Sequence, residues 1–247
     1  MYAASARRNG RETPVFFCSG IRRRSRCGKE IDTMRQFKTD GVLFDLDGTL
    51  WDSGDGVVEG YNLTAERMGL GRTFTPDQMH SVMGLQSQAI LDRLVPDLSP
   101  EQQIAFRNEV CRCECEILRT GRGSRLLPGV RELLETLRPL CPLFIVSNCM
   151  NGYIEAFLEA YGLASYFADY EHPGRTGLSK GENIRLVMER NGVRHGVYVG
   201  DAQVDLEGAR FARIPFLWAR YGFGSVTGYD AALDDPRELP SLLDFTH

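Results

Sequence analysis

Val42-Leu43-Phe44-Asp45-Leu46-Asp47-Gly48-Thr49-Leu50 decides the fold. Its apolar start, Val42 to Phe44, reads as a buried parallel strand. The strand ends in two carboxylates, Asp45 and Asp47, followed by a Gly-Thr turn. Ligands of open parallel sheets bind at such strand ends. Two acids this close repel each other, so they need a cation or separate duties. One could attack a substrate while the other moves protons. An Asp-x-Asp alone is an ordinary acidic turn; the whole run, from apolar strand to Leu50, is far more specific.

Downstream, the chain alternates. Leu143-Phe144-Ile145-Val146, Val197-Tyr198-Val199 and Phe216-Leu217-Trp218 read as strands. Between them, Val130, Leu133, Leu134 and Leu137 form one helical face after Pro128-Gly129, and Tyr153, Ile154, Phe157, Leu158 and Tyr161 form another. Residues 180–191 predict a further helix. Such alternation implies right-handed crossovers and an α/β fold, a parallel sheet with helices on both faces. Residues 55–125 break the alternation. Val57, Val58, Tyr61, Leu63 and Met68 are helically spaced; Thr75-Pro76-Asp77 and Ser99-Pro100-Glu101 have the composition of helix starts, the second opening a helix to about Leu118. The expected layout is a core of residues 35–54 and 126–247 with a helical insert at 55–125.

A chain of 247 residues with 43% hydrophobic content can bury a substantial core. Residues 1–36 hold nine of its basic residues and three acids, leaving net −10 on the remainder, which argues against nucleic acid as the main partner. Residues 1–34 read as a disordered basic extension, with Met34 as a natural start and an organelle transit segment as the rival reading. No apolar run reaches membrane-span length. Seven scattered cysteines fit a reducing cytoplasm. Cys111, Cys113 and Cys115 fall in an expected helix, where 111 and 115 share a face and 113 does not, so packing and surface thiols are expected rather than a metal site. Only three lysines occur, and Lys180 is alone in the last 209 residues. A lone Lys among many Arg suggests a place where a compact point charge is needed, chance survival being the alternative.

Three later segments carry polar groups at strand ends or helix starts. Ser147-Asn148 follows the second strand and could be a simple turn. Lys180 opens a helix, where the dipole disfavours a cation. Asp201 and Asp205 follow Gly200 and can face one point, though Asp201 could merely cap a helix. In this order, with Asp45-x-Asp47, the four segments resemble the motifs of the haloacid dehalogenase superfamily, in its helical-cap, phosphoglycolate phosphatase-like branch. The resemblance spans about residues 40–224. It implies a Rossmann-like core with a small helical cap and a phosphatase acting through an aspartyl-phosphate. It further implies Asp45 as nucleophile and Asp47 as general acid and base. Mg²⁺ would be held by the Asp45 and Asp201 carboxylates and the Asp47 carbonyl, with Asp205 supporting. Thr49, Ser147, Asn148 and Lys180 would hold the phosphoryl oxygens. Ala202 departs from the Ser or Thr of many relatives, which touches supporting bonds rather than a ligand.

Within that family, Asp47 points to ester hydrolysis, since dehalogenases and P-type pumps lack the acid. The insert contains no Lys, which removes the Schiff-base residue of phosphonate-cleaving relatives. A phosphomutase of the β-phosphoglucomutase kind remains an alternative, but the loop Met83-Gly84-Leu85-Gln86-Ser87-Gln88 is neutral, with only His80 near it. A non-catalytic phosphate-binding module is a third reading, which would expect eroded motifs. Gly84, Gln86 and Gln88 are the expected specificity residues for a small phosphorylated metabolite. No nucleic-acid or membrane partner is expected, and the oligomeric state is left open.

Overall fold

The run Val42–Phe44 lies in β1 (Gly41–Phe44), a central strand of a six-stranded parallel sheet in the computed structural model, which describes residues 36–82, 85 and 87–245. The other strands are β2 (Leu143–Val146), β3 (Asp169–Glu171), β4 (Gly196–Gly200), β5 (Phe216–Ala219) and β6 (Ala231–Leu233). Their spatial order is β3-β2-β1-β4-β5-β6, and every pairing is parallel. The basic extension, Gly84 and Gln86 lie outside the described residues.

The sequence reading missed both edge strands. β3 is three residues long and reads Asp-Tyr-Glu; Arg190 ties down its Asp169 and Glu171. Short, charged strands are typical of sheet edges and carry little hydrophobic signal. β6 is equally short. A further short pair, Phe37–Thr39 beside Leu243–Phe245, was also not legible.

The insert comprises α1 (Gly54–Arg67), α2 (Pro76–His80), α3 (Ser87–Leu94) and α4 (Pro100–Leu118). The expected starts at Thr75 and Ser99 are capping boxes, closed by Gln78 and Gln102. These helices bury their own core of Tyr61, Phe74, Met79, Leu91, Phe106 and Val110. Tyr61 meets Phe74 and Phe106 edge-on, with centroids 5.4 and 5.8 Å apart. The chain leaves and rejoins the sheet through Trp51–Asp52, paired antiparallel with Arg125–Leu126. This two-stranded neck was not anticipated.

Beyond the neck lie α5 (Val130–Leu137), α6 (Tyr153–Tyr161), α7 (Lys180–Arg190) and α8 (Gln203–Ala212). The strands bury both faces, which explains their continuous apolar runs. Val42, Phe44, Ile145 and Val199 join Leu133, Leu137 and Phe157 on one side. Leu43, Phe144, Val146 and Tyr198 join Ile184, Val187 and Leu206 on the other. Alternate side chains thus fix α5 and α6 to one face, α7 and α8 to the opposite one. Burying each such side chain contributes about 1.5–3 kcal/mol, which locks the strand register.

On α4, Cys113 and Cys115 are buried and Cys111 is half-buried, all as free thiols. Among the described residues, no helix is long and apolar enough to cross a membrane.

Candidate active site

Strand register assembles the site. Phe44 lies opposite Ile145 on one side and Val199 on the other. The residues that follow, Asp45, Ser147 and Asp201, therefore emerge together at the carboxyl edge of neighbouring strands. The Asp45 amide continues the ladder, donating to the Val199 carbonyl at 2.8 Å. β1 and β4 flank the point where the order of connections reverses, where open α/β sheets take their ligands.

Beyond Asp45 the chain doubles back, with the Gly48 amide bonded to the Trp51 carbonyl at 2.9 Å. Gly48 has φ 75°, and a methyl group there would collide with the Asp201 carboxylate. Glycine is required twice over, for backbone shape and for the approach of an acid.

Lys180 starts α7 after the cap Ser179, whose own partner is Glu182. Its side chain leaves the helix end and runs to the sheet edge. Nζ lies 2.8 Å from Asp45 Oδ1 and also bonds Asp205 Oδ1. The ammonium is almost fully buried, at 5% exposure. Burial opposes its charge, but Asp205 and Asp45 outweigh that and hold its pKa well above the usual value. The dipole misfit is thereby explained: the cation answers to acids across the site rather than to its own helix.

Asp45, Asp201 and Asp205 are all buried, and their carboxylate oxygens lie within 4.8 Å of one another. The Asp201 Oδ2 accepts from the Phe223 and Gly224 amides at 2.9 and 3.0 Å. Even so, burial and the charge of Asp45 raise its pKa to about 6. Burial and Asp45 also raise Asp205, against the pull of Lys180. Asp205 accepts from the Ala202 amide at 2.9 Å, so the missing hydroxyl at 202 leaves its carboxylate anchored. Three carboxylates and one ammonium leave two negative charges in a buried space. A divalent cation with oxygen ligands matches that donor set in charge and hardness. Among the described residues, this is the group so placed for a metal.

Asp47, the second acid, sits in a separate environment. Its Oδ1 accepts from Ser53 Oγ at 2.6 Å and from the Tyr153 hydroxyl at 3.0 Å. The two hydroxyls are themselves 2.8 Å apart. Burial raises the pKa of Asp47 to about 6, with Asp45 adding to the rise and Ser53 and Tyr153 holding it back. A carboxyl group poised there can hold or release a proton near neutrality.

Of the other expected site residues, Ser147 is buried beside Asp45, and Asn148 is half-buried. Thr49 is wholly buried, and its hydroxyl has no partner among the described residues. Gln88 is exposed, its amide donating to Asp92 and Gln103 within the insert. Sequence reading did not find Ser53, Tyr153 or the Phe223–Gly224 amides. Tyr153 looked like part of an apolar helical face, and backbone donors leave no trace in side-chain patterns.

A family model described as haloacid dehalogenase-like hydrolase matches residues 42–219. A phosphoglycolate phosphatase of Synechococcus elongatus is 33% identical over 198 residues, 78% of this chain and 90% of that protein. One from Photobacterium profundum is 26% identical over 222 residues, 83% of this chain and 96% of that protein. Among solved structures, CbbY from Rhodobacter sphaeroides, crystallised in complex with phosphate, superposes with TM-score 0.73 at 18% identity, covering 83% of this chain and 99% of that one.

Proposed function

The chain belongs to the haloacid dehalogenase-like hydrolases and is a phosphatase of the phosphoglycolate phosphatase-like kind, and on that premise we propose that it hydrolyses a small phosphate monoester by way of an aspartyl-phosphate on Asp45. The observation that carries the reading is the single sheet edge at which Asp45, Asp47, Ser147, Lys180 and Asp201 meet.

In the first half-reaction an Asp45 carboxylate oxygen attacks phosphorus in line with the leaving oxygen. The bond from phosphorus to that oxygen breaks, and Asp47 supplies its proton. In the second half-reaction Asp47 takes a proton from water as the water attacks the same phosphorus. The bond to Asp45 breaks, releasing phosphate and restoring the Asp45 carboxylate and the protonated Asp47. Lys180, held against Asp45, neutralises equatorial charge, and Ser147, Asn148 and Thr49 complete the phosphoryl cradle. Mg²⁺ would be held by the carboxylates of Asp45 and Asp201 and the Asp47 carbonyl, supported by Asp205, and would supply charge neutralisation for the phosphoryl group. Residues 55–125 act as the cap that closes over the leaving group and excludes water. Its neutral stretch of Gly84, Gln86 and Gln88, the last of them in α3, suits a small leaving group.

The test is a screen of phosphorylated metabolites with Mg²⁺ and with chelator, run beside Asp45→Asn. Hydrolysis of small monoesters that requires metal and Asp45 is the expected result. Turnover by Asp45→Asn at the wild-type rate would overturn it.

A further inference from the structure

Asp47 can donate a proton to a leaving group only if one of its oxygens is free to face it. The two hydroxyls around it decide which one. Ser53 Oγ and the Tyr153 hydroxyl both converge on Oδ1, at 2.6 and 3.0 Å. A carboxylate oxygen accepts two hydrogen bonds in its plane, so these two donors saturate Oδ1. Oδ2 is left to carry the mobile proton.

The two anchors differ in where they are rooted. Ser53 is buried at the N-terminal cap of α1, immediately after the neck strand Trp51–Asp52, and so belongs to the junction with the insert. Tyr153 is rooted in the core. It opens α6, six residues after Ser147, behind Gly152 at φ 88°. Its ring is 7% exposed and meets the fully buried Trp51 edge-on, with centroids 5.5 Å apart. Trp51 is held in turn by Phe157, one turn further along α6, at 5.1 Å. An edge-to-face stack of this kind leaves the ring one orientation. The hydroxyl is therefore aimed at Asp47 by the same helix that carries the phosphate-side loop.

We infer that Tyr153 is a positioning residue for Asp47: from the core side it fixes Oδ1, so that Oδ2 alone faces the leaving oxygen. This rests on the proposed role of Asp47 as general acid. Tyr153 touches neither substrate nor metal in this scheme; it acts through the carboxyl group. Its loss therefore matters where protonation of the leaving group matters, and little where it does not. Alkyl phosphates need the proton, whereas p-nitrophenolate departs without much help.

The experiment compares Tyr153→Phe and Asp47→Asn with the wild-type chain on an alkyl phosphate and on p-nitrophenyl phosphate, at saturating Mg²⁺. Tyr153→Phe keeps the ring and its contact with Trp51. Its kcat on the alkyl phosphate is expected to fall at least ~10-fold further than its kcat on p-nitrophenyl phosphate, in the direction shown more strongly by Asp47→Asn. Inhibition by inorganic phosphate, measured alongside, is expected to stay unchanged, since Tyr153 lies outside the phosphoryl cradle. An equal fall on both substrates, no fall, or a matching loss of phosphate inhibition would overturn the role of Tyr153 while leaving Asp47 as the acid. No difference between substrates for Asp47→Asn would overturn the acid assignment itself, and the inference with it.

Discussion

Replacing Lys180 by Arg keeps the charge and removes the shape. In the wild-type protein the ammonium fits between Asp45, 2.8 Å away, and Asp205. Its stem runs past Gly208, where even an added methyl would come within 3.1 Å of Lys180 Cγ. The Tyr198 ring lies 5.9 Å from Nζ on another side. A planar guanidinium is longer and wider than this space, and its donors point along a fork rather than from one atom. Two costs follow. Displaced from Asp45, the cation no longer neutralises the transferred group, and loss of one such donor is worth roughly 10²–10³-fold in kcat, about 2.7–4 kcal/mol. Overfilling a close-packed site costs about 1–3 kcal/mol of stability. At roughly 2–4 °C per kcal/mol for a chain of this size, the thermal midpoint falls by about 2–12 °C. The assay is kcat on p-nitrophenyl phosphate at saturating Mg²⁺, with thermal unfolding in parallel and Lys180→Met as the uncharged comparator. Arg is expected to recover little of what Met loses. Turnover by Lys180→Arg within about threefold of wild type, a difference under 1 kcal/mol, would refute the geometric argument and return the lone Lys to chance.

Metal removal is expected to interact with pH. The folded pKa values of Asp47 and Asp201 are raised to about 6 from 3.8, so the metal-free protein binds more protons folded than unfolded between those values. Their contribution to stability is fully present below about pH 4 and is lost as pH rises through 6. Mg²⁺ at 100 times its Kd adds about 2.7 kcal/mol, and its increment in thermal midpoint should grow from pH 5 to pH 7 as protons cease to compete; a constant increment would contradict this. Gly48→Ala is expected to cost about 1–2 kcal/mol from its left-handed backbone, and to weaken Mg²⁺ binding by displacing Asp201; titration calorimetry with unchanged affinity would count against that. Gln88→Ala should reorder substrates in a metabolite screen while leaving p-nitrophenyl phosphate hydrolysis within about tenfold. One common factor across all substrates would make that side chain structural.

Much of this was legible because two strong signals coincide. Fully buried strands write continuous apolar runs, so β1, β2, β4 and β5 stood out, and polar residues at their carboxyl ends marked one edge of the sheet. Lys180 stood out by composition and by its misfit with the helix dipole. What stayed hidden was set by contacts between distant segments. β3 reads Asp-Tyr-Glu because an edge strand needs charge more than apolar burial. The neck pairs Trp51–Asp52 with Arg125–Leu126 across the whole insert, and two residues per strand give no periodicity to detect. Tyr153 met the helical pattern of a core residue, and only the fold shows that its hydroxyl reaches an acid 106 positions earlier.

The central claim is that Asp45 receives the phosphoryl group. Beryllium trifluoride mimics a phosphoryl group bonded to a carboxylate. A crystal structure of the full chain with Mg²⁺ and beryllium trifluoride is expected to show beryllium bonded to an Asp45 oxygen, with Lys180 against its fluorides. Beryllium bonded to any other side chain, with Asp45 left as a free carboxylate, would contradict it.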